Sequence, residues 1–310
     1  MNRNGFEIGI DPSHSVVAVV VTYQPVLDVL EHLLDALIPQ VDSVVVVDNG
    51  SHADLKAWNN ERHTHAAEVL LLSENRGIAA AHNAGIQWAR NREARFVLLM
   101  DQDSIPAPDM VEKLVSAISE QPSPAAVGPR YLDERQDNPP PFIRIRGVAL
   151  KRCACDTEDS VVSVDYLISS GCLIPMSVLD KVGGMRNDLF IDYVDIEWGL
   201  RARHHGFQSY GVCAAHMQHS LGDHPIQFFG KNIPLHSPLR HYYHFRNAVL
   251  LYSEPWVPLN WKLVDGWRLC LKYGFYSLFA KPRIAHWRMM TLGVWHGLTG
   301  KTGKFEGSTS

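Results

Sequence analysis

The sequence predicts an α/β fold: a mixed, mostly parallel sheet flanked by helices, followed by a C-terminal helical appendage. Three observations point there. Strand-length apolar runs alternate with amphipathic helical patterns between residues 16 and 100; Val44–Val47 and Val97–Leu99 are continuously apolar, as strands covered on both faces are; and beyond about Gly230 the chain turns helical, aromatic and basic.

Taken in order, Val16–Thr22 reads as a strand, Val26–Ile38 as a helix, Ser43–Val47 as a strand and Ala53–Arg62 as a helix. Glu68–Leu72, Ile78–Asn91 and Arg95–Met100 continue the alternation as strand, helix and strand. From Pro122 to Pro141 the pattern loosens into Pro-rich, charged loops, after which Phe142–Leu150 and Val161–Ile168 read as strands of a mixed second half. A helix is expected to start near Asp192 and to stop at Gly206, and Tyr210–Ala215 is strand-like. The expected division is a first region over 1–230 and a helical, basic, aromatic region over 231–310.

At 310 residues, 46% apolar and 20% charged, the chain can bury a substantial core, which excludes disorder. Five cysteines without a CxxC pair argue against a disulfide framework or structural zinc, and for a reducing, cytoplasmic setting. The N-terminus lacks the basic and apolar pattern of a signal peptide, and the first apolar run is only strand-length, so neither secretion nor membrane spanning is expected.

The net charge of −4 is unevenly distributed: residues 1–230 hold 18 Lys and Arg against 30 Asp and Glu, and residues 231–310 hold 11 against 3. With Trp256, Trp261, Trp267, Trp287 and Trp295 among those basic residues, the C-terminal region suits an anionic membrane surface. The same aromatics would also serve to pack these helices onto the first region or onto a second subunit of a homo-oligomer. Nucleic acid is disfavoured, because no recognised binding motif accompanies the charge.

Polar residues follow three strands directly: Thr22-Tyr23, Asp48-Asn49-Gly50-Ser51 and Asp101-Gln102-Asp103. In open α/β sheets ligands bind beyond the carboxyl ends of the strands, so these side chains share one rim. Two carboxylates there could hold a hard divalent cation against a diphosphate; the alternative is a turn in which Asp103 or Ser104 caps a helix near Asp109. Asp48 also suits a turn. Asn75-Arg76-Gly77 precedes a helix and could meet an anion or simply form a Gly turn with a cap. Asp192 and Asp195 at a later helix start could supply a general base, or merely favour the helix dipole.

This layout resembles the nucleotide-sugar transferases of the A-type, Rossmann-like fold, specifically glycosyltransferase family 2, through Val20-Val21-Thr22-Tyr23, Val47-Asp48-Asn49-Gly50-Ser51, Asn75-Arg76-Gly77 with Asn83-Ala84-Gly85, and Asp101-Gln102-Asp103. Its second half is similar to bacterial rhamnosyltransferases at Leu167-Ile168-Ser169-Ser170-Gly171-Cys172, at Leu189-Phe190-Ile191-Asp192-Tyr193-Val194-Asp195 and at Tyr242-Tyr243-His244-Phe245-Arg246-Asn247. The resemblance makes residues 1–230 a catalytic domain and implies inverting transfer of L-rhamnose from dTDP-L-rhamnose to a glycan or lipid-linked acceptor, at the inner face of the plasma membrane.

It assigns Thr22, Tyr23 and Asp48 to the nucleobase side, Asn75, Arg76 and Gly77 to the nucleotide, and Asp101 to the ribose. Asp103 and His219, the latter in a His-x-x-Gly pattern, would hold Mg²⁺ or Mn²⁺. Asp195 matches the base of the family's Glu-Asp pair, and Asp192 is the second candidate, because Val194 stands where Glu is usual. Ser169, Ser170 and Gly171 would lie near sugar or acceptor, as would Glu197 and Trp198, with Glu197 orienting or structural. Arg246 would pair with diphosphate oxygens or else brace a helix.

Other classes fit less well. A phosphatase of the haloacid dehalogenase type carries its DxD on the first strand, whereas three expected strands precede it here. A nucleotidyltransferase would show a Gly-rich, basic loop between Val16 and Val29. A nucleotide-binding protein without turnover has no use for two separated acidic clusters.

Overall fold

The computed structural model describes residues 15–62, 66–132, 142–157, 159–219, 226–228, 231–233 and 235–307. Its first half runs β1 (Val16–Thr22), α1 (Leu27–Leu37), β2 (Ser43–Asp48), α2 (Leu55–Arg62), β3 (Ala67–Leu71), α3 (Ile78–Arg90) and β4 (Phe96–Asp101), each within two residues of its expected bounds. There follow β5 (Ser104–Pro106), α4 (Met110–Glu120), β6 (Pro124–Leu132), β7 (Phe142–Arg146), β8 (Ala149–Cys153), β9 (Val161–Val164) and β10 (Cys172–Pro175). The chain continues with α5 (Met176–Val182), α6 (Val194–His204), β11 (Gln208–His219), β12 (Ile226–Phe228) and β13 (Lys231–Ile233), and closes with α7 (Pro238–Ser253), α8 (Leu259–Phe279) and α9 (Arg283–Leu298).

The main sheet has the order β3-β2-β1-β4-β10-β6-β11-β5, with β9 also paired to β11. Strands β1 to β4 are mutually parallel where they pair, and β10 enters antiparallel between β4 and β6. β1 shows why the apolar runs are continuous: Val17, Val19 and Val21 face one core cluster, while Val16, Ala18 and Val20 face the other. Both faces are covered, so no polar alternation survives in the sequence. The cluster containing Val17 also takes in Phe245 and Leu251 of α7 and Trp261 of α8, so the C-terminal helices pack on the same core as β1.

Three expectations need correction. Phe142–Leu150 is not one strand but the β7–β8 hairpin, turned at Gly147, whose φ of +58° suits a residue without Cβ. The strand expected to reach Ile168 ends at Val164. Cys155 and Cys213 form a disulfide across 58 positions. The pairing of β9 with β11, with Val161 opposite Val212, brings the loop carrying Cys155 beside β11, a tertiary effect that residue spacing does not reveal. Cysteine usage therefore no longer bears on the compartment. No helix among the described residues is long and apolar enough to cross a membrane.

Candidate active site

The strand order reverses between β1 and β4, and the register aligns their ends: Val21 pairs with Asp101 while Thr22 pairs with Asp48. A crevice at such a reversal is the expected ligand site of an open parallel sheet. Here it opens into a cavity of about 710 Å³ whose walls include Tyr23, Asp101, Asp103, Asp192, Asp195 and Trp198. The two acidic clusters, some ninety positions apart in sequence, therefore face one volume.

At the β1 and β2 ends, Thr22 Oγ1 donates to Asp48 Oδ1 at 3.1 Å, the Ser51 amide donates to Asp48 Oδ2 at 3.0 Å, and the Ser51 hydroxyl also bonds Asp48. Asp48 is buried and fixed, and Tyr23 stands exposed beside it with its amide bonded to Gln102 Oε1 at 2.7 Å. The loop before α3 is latched from two sides. Asn49 Oδ1 accepts from the Arg76 amide at 2.9 Å and Asn75 Oδ1 accepts from Asn49 Nδ2 at 3.1 Å, while the Ile78 amide donates to Phe190 O at 2.8 Å. Gly77 has a φ of +87°, and a Cβ there would lie 2.4 Å from Phe190 O, so only glycine fits. Asn75, Arg76 and Gly77 do not line the cavity; the Gly77 amide donates to Asn75 Oδ1 at 3.0 Å within the turn, and no side chain caps α3.

At the end of β4 the Asp101 amide donates to Ser170 Oγ at 3.1 Å, and the Ser170 hydroxyl donates to Ser104 Oγ at 2.7 Å. Ser170 thus fixes the strand end from beneath, Ser169 lines the cavity, and Gly171 donates to Leu99 O at 2.8 Å. Ser104 begins β5 rather than capping α4, so the helix-cap alternative for this motif falls away. Burial, and then the negative charge of Asp103, push the Asp101 carboxyl up to about 7. Two carboxylates, one half-buried and one exposed at a strand end, suit a cation that keeps water and phosphate oxygens among its ligands. No group of three His, Cys, Asp or Glu that could hold a metal occurs among the described residues. In β11, His219 pairs with Ser104, which puts its backbone next to Asp103; its side chain, and all of His224, lie outside the described residues.

The second cluster sits on strained backbone. Phe190, Asp192 and Tyr193 have φ of +66°, +62° and +64°, each costing about 1–3 kcal/mol for a residue with a Cβ. The clamp that holds them is Arg246-Asn247. Asn247 Nδ2 donates to the carbonyls of Leu189, Ile191 and Asp192 at 2.8–2.9 Å. Arg246 donates to Leu189 O at 2.9 Å, Gly303 O at 2.5 Å and Asn247 Oδ1 at 2.9 Å. Arg246 is 1% exposed and does not line the cavity, which corrects its assignment to diphosphate or acceptor: its donors go to the main-chain carbonyls of Leu189 and Gly303 and to the Asn247 side chain. Glu197 is likewise buried and paired with Arg201 at 2.7 Å, a structural role. Trp198 lines the cavity and donates to Gly183 O at 3.0 Å.

Asp192 Oδ1 accepts from Arg240 at 2.9 Å. Asp195 opens α6 and accepts from the Ile196 amide at 2.9 Å. Burial outweighs that bond and, with Asp192 nearby, raises the Asp195 carboxyl to about 6. An ionised carboxylate with that affinity is suited to take a proton near neutral pH.

Sequence reasoning missed four cavity residues. His82 is 1% exposed, neither ring nitrogen has a hydrogen-bond partner, and burial lowers its pKa to about 4, so it is a neutral imidazole. Its spacing of four from Ile78 on α3 was the available signal, since both line the cavity. Arg240 and His244 of α7 share a face in the same way, and Lys272 of α8 joins them.

Residues 17–160 match the model for Glycosyl transferase family 2. Across 93% of this chain and 97% of the relative, the sequence is 32% identical to the dTDP-rhamnosyl transferase RfbF of Shigella flexneri. It is 25% identical to the low-salt glycan biosynthesis hexosyltransferase Agl10 of Haloferax volcanii, covering 93% of this chain and 92% of that one. Among solved structures, S. aureus TarS 1-349 in complex with UDP-GlcNAc superposes with a TM-score of 0.55 at 16% identity, covering 91% of this chain and 81% of that one. GalNAc-T7 with UDP, GalNAc and Mn²⁺ gives 0.58 at 12% identity, over 92% of this chain and 56% of that one, and at such identities both establish the fold alone. With residues 17–160 matching the family's model and a dTDP-rhamnosyl transferase matched along nearly its whole length, this chain belongs to glycosyltransferase family 2 and is a glycosyltransferase.

Proposed function

We propose that the enzyme transfers L-rhamnose from dTDP-β-L-rhamnose to a hydroxyl of a glycan or lipid-linked acceptor, with inversion. The observation that carries this reading is the placement of Asp101 and Asp103 on one wall of the cavity and Asp195 on another, in a chain related end to end to a dTDP-rhamnosyl transferase. Asp195 accepts the proton of the acceptor hydroxyl as that oxygen attacks the anomeric carbon. The bond from that carbon to the diphosphate breaks, and dTDP leaves with its electron pair. Mg²⁺ or Mn²⁺ held by Asp103 and His219 would offset charge on the leaving diphosphate. In this reading Tyr23, on the cavity wall, and Asp48, at the buried end of β2, serve the nucleobase.

Val21, Ile78, Leu99, Ile174 and Ile191 give the cavity apolar wall for the 6-methyl group of a deoxy sugar, and neutral His82 can both donate to and accept from sugar hydroxyls. A screen of dTDP- and UDP-sugars by product mass should show turnover with dTDP-rhamnose, and NMR should show an α-L-rhamnoside. Exclusive use of UDP-hexoses, or a β-linked product, would overturn the assignment.

The acceptor is met at a membrane surface. Leu263, Trp267 and Leu271 form an exposed stripe four residues apart on α8; Leu278, Ile284, Trp287 and Trp295 extend exposed apolar surface, and Arg268, Lys281, Arg283 and Arg288 are exposed around them. Not every aromatic of this region faces out: Trp261 and Tyr276 are buried. Low-salt sedimentation with phosphatidylglycerol vesicles should carry the enzyme down, and Trp267→Ser with Trp287→Ser should leave it in the supernatant. Equal sedimentation of wild type and double variant would remove the membrane role.

A further inference from the structure

Lys272 belongs to no part of the chemistry described above, yet it lines the same cavity. Its ammonium carries three donors, and the contact described for it is Nζ to His244 Nε2 at 3.0 Å. Burial holds His244 well below its ordinary pKa, so that partner is a neutral ring. No described carboxylate comes within ion-pair distance of Lys272. A half-buried cation whose described hydrogen bond goes to a neutral ring carries a desolvation cost that an anionic ligand would offset. Arg240, four residues before His244 on α7, brings a second cation to the same wall.

The position of this pair along the cavity indicates which substrate it serves. Arg240 donates to Asp192 at 2.9 Å, and Lys272 meets α7 one turn further on, at His244. The pair is thereby tied to the Asp192–Asp195 cluster, the part of the cavity that the transferase reading gives to the acceptor. On the same helix Leu271, its sequence neighbour, is 55% exposed in the apolar stripe. One turn of α8 thus presents a cation inward and an apolar surface outward.

We propose that Lys272 and Arg240, with His244 orienting the lysine, form an anion subsite for a phosphoryl group carried by the acceptor, whose apolar portion follows the outer stripe of α8. The inference rests on the transferase reading above. A phosphoryl group would take the remaining lysine donors, and a guanidinium offers it planar, paired hydrogen bonds.

The test is isothermal titration of the intact enzyme, first saturated with dTDP and Mg²⁺ to fill the donor site, with farnesyl diphosphate and separately with inorganic pyrophosphate. Lys272→Met should weaken farnesyl diphosphate at least about tenfold, the effect of losing charge-assisted hydrogen bonds, while Lys272→Arg retains most of the affinity. Affinity of Lys272→Met for dTDP should stay unchanged, which also shows that the variant is folded. Tighter binding of farnesyl diphosphate than of pyrophosphate would identify a lipid-borne group, and equal binding a soluble one. If Lys272→Met weakened dTDP by the same factor, the shelf would belong to the donor and the proposal would fall. It would fall equally if neither probe bound wild type, or if variant and wild type matched. These readouts need no turnover, so failure of the rhamnose assignment would register separately, in the donor screen.

Discussion

Asp195→Asn is expected to lower kcat by about 10³-fold, within the range general bases contribute, while leaving dTDP affinity within about a factor of two. The amide preserves shape and can still accept from the Ile196 amide, so α6 should keep its start. What disappears is a site for the acceptor proton. Asp192 is the competing candidate, but its carboxylate already accepts from Arg240, whereas burial has raised the proton affinity of Asp195. Asp192→Asn should therefore cost less and act partly by loosening Arg240. Near-normal turnover in Asp195→Asn combined with loss in Asp192→Asn would reverse the assignment.

The pH profile gives an independent reading of the same group. A base whose carboxyl titrates at about 6 is protonated and inactive below that pH and ionised above it. Measured kcat should rise about tenfold per pH unit up to roughly 6 and then level off. Asp195→Asn should lose that limb, and a limb surviving unchanged in the variant would assign it to another group.

Much of the donor side was legible in the sequence, because a strand buried on both faces ends abruptly where polar residues begin. Val16–Thr22, Ser43–Asp48 and Phe96–Asp101 each show that break, and parallel pairing then carries three breaks to one rim. The acceptor side was less legible. Sequence rules reserve positive φ for Gly and Asn, so nothing in Phe190-Ile191-Asp192-Tyr193 announced three left-handed residues. Their strain is held by a clamp more than fifty residues later in the chain, and only the fold connects the two. From the sequence Arg246 suits either an anion or a bracing role; main-chain carbonyls give it partners that the sequence does not display. Lys272 is one of eleven Lys and Arg beyond residue 230, and the sequence does not separate it from the exposed ones. A helix bearing apolar residues all round gives no signal of which charge turns inward.

Asp103→Ala is expected to remove most activity, about 10²- to 10³-fold, because several kcal/mol of stabilisation of a leaving diphosphate is what a divalent ion supplies. Asp103 is exposed at the cavity mouth, so truncation should leave the melting temperature unchanged. Asp101 is a different case. It is half-buried, its carboxyl is raised by burial and by Asp103, and its amide is bonded to Ser170, so substitution there mixes electrostatic and structural effects. The informative comparison is dTDP affinity with and without Mg²⁺. In wild type the cation should strengthen binding, since a divalent ion held by Asp103 would offset the charge of the diphosphate; in Asp103→Ala affinity should be low and indifferent to Mg²⁺ or to chelation. Removing Asp103 also removes a negative charge beside Asp101, so dTDP binding without metal should be no weaker in the variant than in wild type. A general loss of nucleotide affinity at every metal concentration would point instead to a collapsed strand end. Retained Mg²⁺ enhancement in the variant would place the cation on other residues and withdraw the metal role from Asp103.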